Sequence, residues 1–168
     1  MKTLVFAAGL CALGLTVVSA QQAGTAAAPK PTPAQPSGPY NEQADAKQDI
    51  AAALVLAKAD KKNVLLDFGA NWCPDCLVLS KLFDDETVKG FREANFHVVQ
   101  VDVAHFTKNV DISDQYGGVI KKGIPAVVVL APDGHMIDST VDGSLENARH
   151  STPAEILGYL RKWAPKPL

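Results

Sequence analysis

The chain has 168 residues, and its 16 basic and 18 acidic side chains give a formal net charge of -2. This near-neutral balance gives no electrostatic reason to expect nucleic acid as a partner. Its three cysteines are too few for a small domain held together by several disulfides. We therefore expect one folded domain of moderate size, with any cysteine chemistry confined to one close pair.

The first twenty residues have the pattern of a signal peptide. Lys2 precedes an uncharged apolar run over residues 4–18, and Ala20 and the residue two before it are small, as a signal peptidase requires. The run is short for a membrane span. We expect cleavage after Ala20, export to a bacterial periplasm or, alternatively, secretion, and no stable membrane insertion of the mature chain. Cys11 lies within this segment and would be removed with it.

The next segment, residues 21–39, carries five prolines among small and polar residues and shows no apolar periodicity. We predict an extended, flexible linker there and a folded domain over residues 40–168. Apolar residues recur at helical spacing within residues 41–62, which predicts a helix packed on one face. The short apolar run 64–69 that follows has the length of a buried strand.

A second helix is predicted from Pro74 onward, with a break or bend at residues 84–85. Residues 96–101 are β-branched and aromatic, so a strand should follow, giving a strand, helix, strand unit with a parallel pair. Residues 102–122 are polar and contain two glycines, which predicts a long loop with a short helical turn near residues 112–116.

The C-terminal part of the domain is predicted to add a hairpin and a helix. Residues 126–130 form an apolar strand, and the turn residues 132–134 make residues 135–140 its antiparallel partner. Thr152 and Glu155 form a capping box that begins a final helix covering the sheet. The resulting fold class is α/β, with a central mixed β-sheet flanked by helices and an extra N-terminal helix.

The stretch NWCPDC, residues 71–76, places two cysteines three positions apart. A zinc site needs four ligands, of which this pair supplies two. The histidines are scattered singly, so we expect neither a bound metal nor a cofactor; they are His97, His105, His135 and His150. A loop this short constrains the unfolded chain little, so a purely structural disulfide is also not expected. Redox chemistry is the remaining use of the pair, with one thiolate that attacks and a second thiol that resolves.

The predicted surroundings of the pair favour a negative sulfur on Cys73. A strand ends just before the pair and a helix begins within it, with Cys73 at the cap and Pro74 at the first helical position. Unpaired backbone N–H groups and the helix dipole at such a position stabilise a thiolate. Cys76 lies one turn into the helix and is expected to be less exposed.

These residues resemble the thioredoxin family over residues 64–163, from VLLDFGANWCPDC through a helix and a strand to GIPAVVVL. Three features match in order, namely the W-C-x-x-C, an aspartate six residues before its first cysteine, and an Ile-Pro ahead of an apolar strand. The resemblance implies a thioredoxin-like fold. It also implies that Cys73 is the attacking nucleophile, Cys76 the resolving thiol, and Asp67 the buried carboxylate that exchanges a proton with Cys76.

The sequence around Asp67 agrees with that role. A charge within the apolar run 64–68 would be desolvated, which raises the pKa of a carboxyl and suits a group that takes and gives a proton. The alternative is a carboxylate that reaches water at the end of the strand. Val98 stands where many thioredoxins have a lysine that pairs with this carboxylate, and its absence would raise the pKa of Asp67 further.

The resemblance also assigns substrate-binding residues. It implies that Pro125 is a cis-proline beside the cysteines and that the backbone at Ile124 is free to hydrogen-bond an extended substrate. From the sequence alone, Pro125 is a proline at a strand start, allowed in either isomer. Trp72 would contact the substrate, or would simply be a partly buried aromatic that shapes the site.

The two residues between the cysteines tune the redox potential. Pro74 in the first position also occurs in the oxidant DsbA, whereas Asp75 takes the place of the DsbA histidine. A carboxylate beside the sulfur is expected to raise the pKa of Cys73 and make the disulfide less oxidising.

We therefore expect a thiol-disulfide oxidoreductase that reduces or exchanges disulfides of exported proteins and receives electrons from an unidentified donor. Two alternatives stay open. One is a DsbA-like oxidant, and the other is a thioredoxin-like binding or chaperone module whose disulfide never turns over.

Overall fold

A computed structural model describes residues 38–166 of the chain. The predicted signal segment 1–20 and linker residues 21–37 lie outside the described residues, so both remain predictions. Within the described part the elements in chain order are α1 (Ala46–Asp60), β1 (Asn63–Gly69), α2 (Pro74–Phe83), α3 (Glu86–Asn95), β2 (Phe96–Asp102), α4 (Val110–Gln115), β3 (Ala126–Leu130), β4 (Met136–Ser139) and α5 (Pro153–Trp163). Two short 3-10 helices, Val119–Lys122 and Ala148–His150, lie in the connections.

The four strands form one mixed sheet in the order β2-β1-β3-β4. Strand β1 runs parallel to β2 and antiparallel to β3, and β3 pairs with β4 in antiparallel fashion. The α/β fold with a mixed sheet, predicted from the sequence, is confirmed. All seven residues of β1 are buried, as expected of a central strand covered on both faces.

Successive side chains of β1 contribute to two different hydrophobic cores, as the twofold period of a strand requires. Leu66 packs in the core that includes Ile50 and Ala57 of α1. Leu65 packs in the core that includes Leu79 of α2 and Leu160 of α5. The sheet is therefore covered by α1 on one side and by α2, α3 and α5 on the other.

Local signals explain where the helices begin and end. The Asp45 side chain accepts hydrogen bonds from two N–H groups of the first turn, so α1 begins after Asp45, later than predicted. The predicted break in the second helix is real, because the Asp85 carboxylate caps a separate helix, α3. The capping box of Thr152 and Glu155 is present at the start of α5, as predicted.

The polar segment 102–122 is more ordered than the predicted loop. It contains α4 and the 3-10 helix Val119–Lys122, and the buried hydroxyl of Ser113 accepts a hydrogen bond from the Ile120 N–H at 3.3 Å. Glycines at positive φ, among them Gly118 at 73°, allow the tight turn between them. Across residues 38–166, no helix is both long enough and apolar enough to cross a bilayer.

Candidate active site

Cys73 and Cys76 are joined by a disulfide at the start of α2, with their Cα atoms 5.3 Å apart. Cys73 is the N-cap residue and Pro74 begins the helix. The Sγ atom of Cys73 accepts a hydrogen bond from the Cys76 N–H at 3.2 Å, where a capping oxygen would otherwise accept. Both cysteines are buried, Cys73 at 4% exposure and Cys76 at 0%. The same N–H group and the helix dipole can stabilise a thiolate on Cys73.

The Ile124–Pro125 segment lies against the cysteine pair. The peptide bond before Pro125 is cis, and β3 begins at the next residue. The carbonyl oxygen of Ile124 is 3.6 Å from Cys73 Sγ. The fold therefore brings Ile124 and Pro125, which are some fifty residues away in the chain, next to the attacking sulfur that the sequence predicts.

Asp67 is fully buried in the centre of β1. Its Oδ2 atom accepts a hydrogen bond from the Tyr40 hydroxyl at 3.0 Å, and its Oδ1 atom has no hydrogen-bond partner among the described residues. Burial raises the pKa of Asp67 to about 7, although the Tyr40 hydrogen bond acts in the opposite direction. The carboxyl group is thus desolvated, as expected from the apolar run around it, and does not reach water at a strand end.

Tyr40, the first residue of the predicted domain, belongs to the site, although the sequence motifs do not indicate it. It is fully buried, and burial together with the nearby Asp67 raises its pKa. Its main chain is held by the side chain of Asn71, which accepts from the Tyr40 N–H at 3.1 Å and donates to the Tyr40 carbonyl at 2.8 Å. A Cβ on Gly69 would overlap the Tyr40 ring, so this close approach requires glycine. The only sequence signal for a buried Tyr40 is that it is a single aromatic residue directly after a proline-rich segment.

Trp72 lies on the surface beside Cys73, with 47% of its area exposed. Its indole N–H donates to the carbonyl of Ala104 at 2.8 Å, and its ring stacks on His105 with 5.1 Å between the ring centroids. Phe106 meets the Trp72 ring edge-on at 6.2 Å and is itself 44% exposed. We call these three side chains, Trp72, His105 and Phe106, the aromatic rim.

Asp75 forms an ion pair with Arg149. The residue is buried, and both of its carboxylate oxygens accept hydrogen bonds from Arg149. The hydrogen bonds from the Arg149 guanidinium are the main reason that the pKa of Asp75 lies below its ordinary value. The effect of Asp75 on the pKa of Cys73 stays a prediction, and the sequence motif did not indicate the counter-charge of Arg149, 74 residues along the chain.

The described residues hold no group of three or more histidine, cysteine, aspartate or glutamate side chains arranged to bind a metal ion. Two of the four histidines instead contact single carboxylates. His97 lies 2.9 Å from Asp60, and His135 lies 2.5 Å from Asp133.

Comparison with known proteins identifies the family of the chain. The family model described as thioredoxin-like matches residues 45–132, more than half of the chain, so the chain belongs to the thioredoxin-like family. The chain is 34% identical over 80 residues to a thioredoxin of Mycoplasmoides gallisepticum, a match that covers 48% of this chain and 70% of that protein. It is 28% identical over 91 residues to thioredoxin H4 of Arabidopsis thaliana, covering 54% of this chain and 69% of that protein.

A solved structure of a disulphide isomerase from Xylella fastidiosa Temecula1 superposes with a TM-score of 0.72 at 40% sequence identity. The superposition covers 74% of this chain and 95% of that chain. The protein is accordingly a thioredoxin-like member of the disulfide oxidoreductases, with a Cys-x-x-Cys pair at the start of a helix.

Proposed function

We propose that the protein reduces or exchanges disulfides of exported proteins through the Cys73 and Cys76 dithiol. The observation that carries this proposal is the position of Cys73 Sγ at the N-cap of α2, where it accepts the Cys76 N–H and lies beside Ile124. Once the disulfide is reduced, a sulfur at this position would have its negative charge stabilised before any substrate arrives.

In the first step the Cys73 thiolate attacks one sulfur of a substrate disulfide. A bond forms between Cys73 and that sulfur, the substrate disulfide breaks, and the second substrate sulfur leaves as a thiolate. The Cys76 N–H and the N-terminus of α2 favour the thiolate form of the nucleophile.

In the second step Cys76 loses its proton and attacks the sulfur of Cys73. The Cys73–Cys76 disulfide forms and the mixed disulfide breaks. The substrate sulfur that was bonded to Cys73 is released as a thiolate and protonated. The dithiol is thereby oxidised by two electrons and the substrate disulfide is reduced. We propose that Asp67 accepts the proton of Cys76, because its pKa of about 7 lets it accept a proton and release it near neutrality.

Substrate binding is assigned to Ile124, Pro125 and Trp72. An extended substrate segment would hydrogen-bond to the backbone at Ile124, while the exposed ring of Trp72 supplies apolar contact area. Phe106 extends this apolar surface across the aromatic rim.

The setting of the reaction is also part of the proposal. We infer export, with cleavage after Ala20, a linker up to residue 39 and a domain from residue 40 onward. The oxidised pair must then be reduced again by a dithiol or other thiol electron donor in the same compartment. Mass spectrometry of the protein recovered from the periplasm of an expression host should find Gln21 at its N-terminus, whereas an intact Met1 would contradict export by this route.

An isomerase is the second candidate, favoured by the 40% identity to the disulphide isomerase structure. An isomerase would form the same mixed disulfide at Cys73. It would then be released when another thiol of the substrate, rather than Cys76, attacks the bond, so that no net electrons are transferred.

Two assays separate these activities. Reduction of insulin with dithiothreitol as donor reports net reduction, and reactivation of scrambled ribonuclease in a glutathione buffer reports isomerisation. We expect Cys73→Ser to lose both, and Cys76→Ser to lose net reduction while accumulating mixed disulfides. In a full-length chain that keeps residues 1–20, Cys11→Ser is the matched control, because Cys11 lies outside the predicted domain and its replacement should leave both activities unchanged.

Each alternative has a distinct result. A Cys73–Cys76 bond that stays oxidised in excess dithiothreitol would identify a binding module with a permanent disulfide. An equilibrium with glutathione close to that of DsbA, whose potential is about -120 mV, would identify an oxidant.

A further inference from the structure

Asp75 and Arg149 form an ion pair that has no part in the exchange reaction described above. The Nε atom of Arg149 donates to Oδ1 of Asp75 at 2.9 Å, and its Nη2 atom donates to Oδ2 at 2.5 Å. The backbone N–H of Arg149 also donates to Oδ1, at 2.9 Å. Two parallel bonds between a guanidinium and a carboxylate fix both side chains in orientation as well as in distance.

The pair joins the cysteine motif to a distant segment. Asp75 is the second residue of α2 and lies between Cys73 and Cys76. Arg149 lies in the 3-10 helix Ala148–His150, which is held in place by the fully buried Ala148. The guanidinium is therefore brought to the cysteine motif by the connection between β4 and α5, whose backbone is also bonded to Asp75 through the Arg149 N–H.

The burial of the two partners is unequal. The Asp75 side chain is 7% exposed, whereas the Arg149 side chain is 54% exposed. His150, next to Arg149, is a further favourable charge for the carboxylate when it is protonated. Asp67 is a second carboxyl near the motif, on β1, and it has no ion-pair partner among the described residues. Asp75 is thus the acidic group of the motif that depends on Arg149 for its counter-charge.

We propose that Arg149 sets the redox equilibrium of the Cys73–Cys76 pair by pairing with Asp75. The inference rests on the proposed function in that it concerns the same two sulfurs. With Arg149 in place, the ion pair has little net charge, so the N-terminus of α2 acts on the Cys73 thiolate with little opposition. Arg149 is a positioning residue, since it acts on the sulfur through Asp75.

The signs of the expected changes follow from Coulomb's law. Removing Arg149 leaves a carboxylate two residues from Cys73 with its nearest counter-charge gone, which destabilises the thiolate and shifts the equilibrium toward the disulfide. Removing the charge of Asp75 leaves the guanidinium without its carboxylate, which stabilises the thiolate and shifts the equilibrium toward the dithiol. Removing both charges should restore the balance.

The test measures the equilibrium in which the protein dithiol and oxidised glutathione give the protein disulfide and two reduced glutathione molecules. Relative to the wild-type protein, we expect Arg149→Met to raise the constant about 3- to 10-fold and Asp75→Asn to lower it by a similar factor. The double variant should lie within about 2-fold of the wild type. Arg149→Lys, which keeps the charge and loses the bidentate geometry, should remain closer to the wild type than Arg149→Met does.

A merely structural ion pair would lower the melting temperature of both single variants and leave the glutathione constant within 2-fold, or would shift it in the same direction in both. Should Arg149→Met fail to fold, Arg149→Gln and Asp75→Asn provide the same signed comparison. The glutathione equilibrium needs no protein substrate, so loss of insulin reduction with normal glutathione values would count against the proposed function alone.

Discussion

Tyr40 and Asp67 form the one hydrogen-bonded contact described for this buried carboxyl group, and both side chains are completely inaccessible to solvent. The hydroxyl donates to the carboxylate and so stabilises the charged form of Asp67, while desolvation opposes it with a larger effect. The pKa of about 7 is the balance of these two opposing effects. Tyr40, 27 residues away in sequence, therefore lowers the pKa of Asp67, the proton acceptor proposed for Cys76.

Tyr40→Phe removes this hydrogen bond with little change in shape. The pKa of Asp67 should rise above about 7, so a smaller fraction of the carboxyl is ionised at neutral pH and the resolving step slows. We expect the pH midpoint of insulin reduction to move upward by about 0.5 to 1 unit, with the rate recovered at higher pH.

The matched control for this variant is Tyr159→Phe in α5. Tyr159 packs on Trp163, with 5.2 Å between the ring centroids, and belongs to the core on the other side of the molecule from α1. The pH midpoint of insulin reduction by the Tyr159→Phe variant should equal that of the wild-type protein. An unchanged midpoint in Tyr40→Phe would show that the hydroxyl has no influence on the reaction.

At the scale of secondary structure, the last residue of β1 makes room for the segment that carries Tyr40. A side chain on Gly69 would overlap the Tyr40 ring and push it away from Asp67. Gly69→Ala should therefore lower the free energy of unfolding by about 1–3 kcal/mol, the usual range for overpacking, and shift the pH midpoint in the same direction as Tyr40→Phe.

Gly90→Ala is the control for that substitution. Gly90 lies within α3 and a Cβ added there would meet nothing within 4 Å. Replacing glycine by alanine at such a helical position should raise stability by about 0.5–1 kcal/mol. Urea unfolding of both variants makes the comparison, and equal stabilities would mean that Tyr40 can shift without cost.

The sequence could predict those structural features that depend on residues close together in the chain. The strand 126–130, the break before Glu86 and the capping box at Thr152 were all predicted, because each depends on residues within a few positions of one another. The cysteine pair at the start of a helix was predicted for the same reason.

The contacts that were missed join segments distant in the chain. Tyr40 lies 27 residues from Asp67, and Arg149 lies 74 residues from Asp75. No periodicity or local motif relates such positions, and Arg149 is held by a 3-10 helix too short to leave a periodic signal. The cysteine motif alone therefore could not predict that Asp75 pairs with Arg149.

For the whole molecule, a carboxyl buried at the centre of the sheet makes folding stability depend on pH. The pKa of Asp67 is about 7 in the folded chain against an ordinary value of 3.8. Between those two values the folded state holds a proton that the unfolded state has lost, so stability decreases as pH rises from about 4 to about 7 and then levels off. Asp75 acts in the opposite direction, since its lowered pKa contributes stability that is lost as pH falls.

Asp67→Asn isolates the contribution of Asp67, because asparagine keeps an oxygen that can accept from Tyr40 and carries no charge. The contribution of Asp75 and of the other carboxyls is common to both proteins and cancels in their difference. The oxidised variant should be more stable than the oxidised wild type above pH 7 by up to about 4 kcal/mol, the equivalent of roughly three pKa units. The difference should shrink toward zero as pH falls below 3.8, where Asp67 becomes protonated in both the folded and the unfolded state. Urea unfolding across this pH range measures it, and a difference that did not vary with pH would mean that Asp67 does not titrate near 7 in the folded protein.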